Sequence, residues 1–148
     1  MSDQANILLS EAAVPRRQLG RSILAILAGF VVVVILSIAT DILLRKLGIY
    51  PPLGQRISDG LAALATSYRT IYAILGSYIT ARLASDRPMA HALVGAAIGM
   101  LIGTLGALAT WNKDLGPHWY AIALVVEGIP CAWIGARIWL AQNSGPKR

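Results

Sequence analysis

The chain has 148 residues, 56% hydrophobic and only 14% charged, whereas an average soluble domain is about 25% charged. This excludes a separate soluble module and points to a chain whose solvent is mostly lipid. The net charge of +6 reads as positive-inside asymmetry and contact with anionic headgroups rather than nucleic-acid binding, since long basic runs are few.

Residues 1–21 are polar, contain Pro15 and end in Arg16, Arg17 and Arg21. They read as a short, partly disordered cytoplasmic tail. Ser22 to Thr40 carries no charge and exceeds the usual apolar run of a secretory signal, so a retained helix near 22–44 is expected. Its β-branched run, Val31 to Ile35, would hint at a strand in water. In hydrocarbon a lone strand leaves its backbone unpaired, so helix is favoured.

Residues 45–59 read as a loop, with Pro51, Pro52 and Gly54 as helix breakers and Ser58 or Asp59 as the next N-cap. The second helix, near 60–84, is the least apolar, with Thr66, Ser67, Arg69, Thr70, Ser77 and Thr80 inside it. An Arg at a helix centre costs about 2.5–3.5 kcal/mol on the insertion scale, so this helix needs its neighbours to insert. Ser85 to Pro88 forms a turn with an early-helix proline. A charge-free third helix is expected near 88–110 and a fourth near 117–140, joined through Asn112 to Pro117. A polar, basic cytoplasmic tail, 141–148, follows.

With the N-terminus inside, the inner face carries Arg16, Arg17, Arg21, Arg82, Arg87, Arg137, Lys147 and Arg148. The outer face carries Arg45, Lys46, Arg56 and Lys113. The excess places both termini in the cytoplasm. Tyr50, Trp111, Trp119 and Tyr120 would form an outer aromatic belt and Trp139 an inner one. Tyr78-Ile79-Thr80-Ala81-Arg82 is echoed by Trp133-Ile134-Gly135-Ala136-Arg137. The echo reads either as two similar hairpins in parallel orientation or as convergent boundary chemistry.

Two embedded charges stand out. Arg69 and Glu127 lie at matching depth on helices running the same way, so an Arg69–Glu127 ion pair is geometrically allowed. Such a pair would either fix helix register or line a polar cavity. Asp41 is shallower, with Arg45 at i+4 as a local partner or Arg69 as an alternative one. Tyr68 and Tyr72 share a helix face beside Arg69 and could line the same cavity. Gly128 and Pro130 mark an expected helix kink next to Glu127, because Pro130 has no N–H for the carbonyl of Val126. Gly95, Gly99 and Gly103 form a smooth stripe, expected to be a helix-packing face. His91 reads as interfacial and Cys131 as a small buried side chain. No metal-ligand spacing, cofactor fingerprint or catalytic motif is present, so neither metal nor cofactor is expected.

Thr40-Asp41, Pro51 to Gly54, Ser58 to Gly60, Tyr68-Arg69, Ala90 to Leu93, Ala109 to Lys113 and Gly116 to Tyr120 together resemble a group of small four-helix bacterial inner-membrane proteins without an assigned activity. The resemblance implies a multi-pass topology in a bacterial cytoplasmic membrane, and nothing about activity.

The reading is an all-α, four-helix transmembrane bundle, with the lipid bilayer as its surroundings and either copies of itself or another membrane protein as its partner. A structural or accessory role, not an enzymatic one, is expected first. That role predicts a dry Arg69–Glu127 pair. The alternative is a small transporter or channel. It predicts a cavity reaching Arg69, Glu127, Tyr72 and Asp41.

Overall fold

A computed structural model describes residues 2–84 and 86–143, with side chains from Gly20 onward. The helices are α1 (Ser2–Lys46), α2 (Asp59–Leu83), α3 (Pro88–Thr110), α4 (His118–Val126) and α5 (Gly128–Asn143). The last two are one helix interrupted at Glu127. A short 3-10 turn, Trp111–Lys113, follows α3. The segment before Ser22, expected to be partly disordered, is instead helical from Ser2. Of the basic tail, residues 144–148 lie outside the described residues, as does Ser85 of the expected turn.

Local chemistry sets the helix ends. Gly48, at φ +72°, lets α1 close on itself: Gly48 N donates to Arg45 O and Ile49 N to Leu44 O, both at 3.0 Å. This left-handed closure suits glycine because it has no Cβ to clash. Ser58 caps α2 by accepting from Leu61 N, and Pro88 opens α3, where its missing N–H has no helical partner to lose.

The helices alternate in direction. Ser22, near the start of the apolar Gly20–Lys46 part of α1, and His91, near the start of α3, meet at 2.7 Å. Tyr78 and Gln142, near the ends of α2 and α5, meet at 2.8 Å. α2 packs against α1, α3, α4 and α5, whereas α1 packs on α2 and only sparsely on α3. The least apolar helix is thus the one most covered by protein, which is how a segment holding Arg69 is kept from lipid.

Three segments are long and apolar enough to span a membrane: Gly20–Lys46, Pro88–Lys113 and His118–Asn143. With 25 residues, α2 is about 37 Å long, sufficient in length, but its polar side chains lower its hydropathy. The protein is a small multi-pass membrane protein.

Packing follows lipid rather than water logic. The fully covered residues are small, Ala25, Ala62, Ala65, Ala81, Ala92, Cys131, Ala132 and Ala136, while Leu, Ile and Val side chains point outward. Small residues let helix backbones approach closely where no hydrophobic force drives association. One close backbone crossing joins Gly29 and Gly76. A Cβ on Gly29 would lie 2.6 Å from Gly76 O, and one on Gly76 would lie 2.8 Å from Gly29 O. Gly135 seats α5 on α2 in the same way, 2.8 Å from a virtual Cβ to Tyr78 N. The two echoing segments therefore lie side by side, with Thr80-Ala81 and Gly135-Ala136 turned inward.

Candidate functional site

Asp41 lies near the end of α1 and accepts two hydrogen bonds from α2. Tyr68 Oη donates to Oδ1, and Arg69 Nη2 donates to Oδ2 at 2.8 Å. The side chains are 18% and 29% exposed, respectively, for Asp41 and Arg69. Three further hydroxyls lie beside this pair. Tyr50 Oη lies 3.2 Å from Tyr68 Oη, and Thr40 Oγ1 lies 2.8 Å from Tyr72 Oη. The ring of Tyr120 stands 6.0 Å from the Arg69 guanidinium carbon, within cation–π reach.

The expected Arg69–Glu127 ion pair is not formed. Glu127 Oε2 instead accepts from Thr70 Oγ1 at 2.6 Å. The reason is side-chain direction. Side chains on a helix lean toward its N-terminus. The Arg69 head therefore rises toward the start of α2, the level at which α1 ends and Asp41 sits. Glu127 leans the same way on its parallel helix, but its shorter side chain carries the carboxylate less far, so similar positions along the two helices do not bring the head groups together. Arg45 does not take the Asp41 carboxylate either. It approaches the Asp41 backbone oxygen at 3.5 Å, leaving the carboxylate to Tyr68 and Arg69.

Glu127 occupies the single-residue break between α4 and α5. Its N–H bonds Ala123 O at 2.9 Å, and its carbonyl receives Cys131 N at 3.0 Å. Pro130 supplies no N–H to Val126, so the ladder is missing one rung at this point. Thr70 Oγ1 also lies 2.8 Å from Thr66 O. A hydroxyl has one proton, so Thr70 donates to the carboxylate or to the carbonyl, not to both.

Two cavities meet at the Asp41–Arg69 pair. The end cavity, about 410 Å³, lies beneath the α1–α2 and α3–α4 connections. Its wall includes Arg45, Tyr50, Tyr68, Trp111, His118 and Tyr120, with Asp41 and Arg69 at its base. Ile57 N donates to Leu115 O at 2.9 Å, and Arg56 pairs with Asp114, joining the two connections over it. The lateral groove, about 540 Å³, runs between α1 and α3, floored by α2 and by Glu127 and Gly128. Asp41, Arg69 and Leu124 belong to both walls.

Not every predicted site residue comes to these cavities. Tyr72 bonds Thr40 and lines neither. Gly95 and Gly99 line the groove and face Ile26 and Phe30, with a virtual Cβ at 3.6 Å and 3.4 Å, while Gly103 faces Val125 at 3.5 Å. These are ordinary contacts, not the closest crossings. Tyr50, expected in an outer lipid belt, is turned inward and 7% exposed. Tyr120 also points into the protein. Thr70, Thr40 and Tyr50 join the polar cluster without having been singled out for it; Thr70 adjoins Arg69 and Thr40 adjoins Asp41 in the chain, the available signal for those two. Among the described residues, no group of three or more His, Cys, Asp or Glu gathers to hold a metal.

Comparison with protein-family models, with curated proteins and with solved structures gives no match to this chain. The arrangement of its own residues therefore carries the functional argument.

Proposed function

We propose that the protein is a small transporter whose solute-binding region is the pair of cavities around Asp41, Arg69 and Glu127. One observation carries this reading: the Asp41–Arg69 pair forms a partition between a cavity at the polar end of the bundle and a groove that opens sideways between α1 and α3. A charged pair at such a partition serves alternating access, because it separates two compartments by contacts that can be exchanged rather than by packed backbone. The accessory role called for a dry Arg69–Glu127 pair, and Glu127 is instead left facing a groove.

In this reading α2 is the fourth membrane crossing, shielded by the other helices, and both termini lie in the cytoplasm, the side that the Lys and Arg excess favours. The test is water access. In a Cys131→Ser background, a single Cys replacing Leu124, which lines both cavities, is expected to react with a small membrane-impermeant thiol reagent. A Cys replacing Tyr72 is expected to stay unmodified. A Cys at 124 that does not react overturns the transporter reading.

A further inference from the structure

The lateral groove has a charge balance that specifies its ligand. Three ionisable side chains line it: Asp41, Arg69 and Glu127. The first two neutralise each other across 2.8 Å. Glu127 has Thr70 as its hydrogen-bonding partner on Oε2, and among the described residues no cation within salt-bridge distance. The groove therefore carries one uncompensated carboxylate at its floor. Asp41 comes from α1 and Arg69 from α2, while the groove residues of α3, among them Ala92, Gly95, Gly99 and Met100, bring no charge.

Apart from the hydroxyls of Ser37, Ser77 and Thr80, the rest of the wall is apolar. Ile26, Phe30, Val33, Val34, Ile38 and Ile102 border it, and Val34, Ile38 and Ile102 are exposed at the outer surfaces of α1 and α3. Its volume of about 540 Å³ lies within the roughly 300–1,000 Å³ of small-molecule sites. A carboxylate in such surroundings is costly unless it takes up a proton or a positive charge reaches it, and a permanent organic cation keeps it ionised. An inorganic cation would have to shed its water among hydrocarbon walls. A cation with a hydrophobic body loses little water and fills the walls as well.

Resting on the transporter reading, we propose that the lateral groove binds a hydrophobic monovalent organic cation, whose charge pairs with Glu127 and whose body enters from the bilayer between α1 and α3. The Asp41–Arg69 pair then serves as the partition above the ligand and not as its counter-charge. The groove selects by sign of charge, since an anion of the same shape meets the same walls but is repelled by Glu127.

The probes are tetraphenylphosphonium and tetraphenylborate, which share size and shape and differ in sign. Binding of each to the purified full chain in detergent micelles is measured by equilibrium dialysis, with protein-free micelles subtracted. The expected result is binding of the cation at least about tenfold tighter than the anion, with the preference lost in Glu127→Gln. Equal binding, tighter binding of the anion, or an unchanged preference in Glu127→Gln overturns the proposal. Should Glu127→Gln fail to fold, the wild-type comparison of the two ions still decides. Thiol access at position 124 without cation binding removes the cation assignment and leaves the transporter reading standing; absence of both removes both.

Discussion

Arg69 donates to Asp41 across 2.8 Å, from the second helix to the first, although residue counting along the helices allows Glu127 as its partner. The pair joins α2, whose Arg69 requires shelter from lipid, to α1, which among the described residues touches the fewest other helices. It thereby fixes α1 against α2 at one end of the bundle, while the Gly29–Gly76 crossing fixes them further along. What remains open is the space between α1 and α3.

This geometry predicts a specific pattern of energetic coupling. Removing one member of a buried pair leaves the other charge uncompensated, so Arg69→Ala and Asp41→Ala are each expected to destabilise by about 3 kcal/mol. The double variant is expected to lose less than the sum, with a coupling of about 1–3 kcal/mol. The corresponding cycle between Arg69 and Glu127 is expected to show a smaller coupling. Unfolding in mixed micelles measures both cycles, and a larger Arg69–Glu127 coupling would contradict the pairing.

The glycines divide into two classes. Gly76→Val places atoms against Gly29 O, already 2.8 Å from the first added carbon. Backbone cannot retreat as a side chain can, so α1 and α2 must separate and stability is expected to fall by several kcal/mol, about the upper range for overpacking. Gly95→Ala adds a methyl 3.6 Å from Ile26 Cγ2, an ordinary contact, and is expected to change stability by less than about 1 kcal/mol. Thermal unfolding of the two variants side by side checks the difference.

Much of this architecture is legible in residue order because the membrane enforces it. Charge-free runs such as those of α1 and α3 have one stable backbone solution in hydrocarbon, and Pro88, Ser58 and Gly48 announce where helices begin and end. The site is less legible. Arg69 and Glu127 stand out by cost alone, but which acid Arg69 meets depends on a long side chain leaning toward the start of its helix, a displacement that counting backbone rises omits. Similarly, Gly95, Gly99 and Gly103 make the more conspicuous stripe, whereas Ala25/Gly29, Gly76/Thr80 and Ala132/Ala136 carry the same small-residue spacing and lie at the close crossings. Spacing shows that a face is smooth; which smooth face meets another depends on the whole bundle. Tyr50 turns inward against expectation for a related reason, since an aromatic near a helix end suits the lipid interface and a loop-covered cavity equally well.

The connections over the end cavity offer a contrast between contacts. Arg56 and Asp114 form an ion pair with side chains 56% and 70% exposed. Water and salt screen such pairs, so Arg56→Ala is expected to cost less than about 1 kcal/mol. The Ile57–Leu115 backbone bond does not depend on that pair. Gly116 does bear on it: a Cβ there would stand 2.9 Å from Ile57 Cγ1. Gly116→Val is expected to loosen the two connections and to speed thiol modification of a Cys at position 124 relative to the same Cys in the Gly116 background. Labelling rates measured together for the Arg56 and Gly116 variants would show whether the backbone contact, rather than the ion pair, holds the connections closed.

Pro130 tests the break at Glu127. The residue sits one turn beyond Val126, whose carbonyl would accept a bond from position 130 in an uninterrupted helix. Pro130→Ala supplies that N–H and removes the ring that crowds the preceding turn. Since residue 130 is exposed, little packing is lost in the exchange. The new amide is expected to be protected from deuterium exchange, and thermal stability is expected to rise. A continuous helix would also turn Glu127 relative to Thr70, so the cation preference of the lateral groove is expected to weaken even though every charged group is retained. An amide at 130 that exchanges as fast as one in a loop would place the cause of the break elsewhere than in the proline.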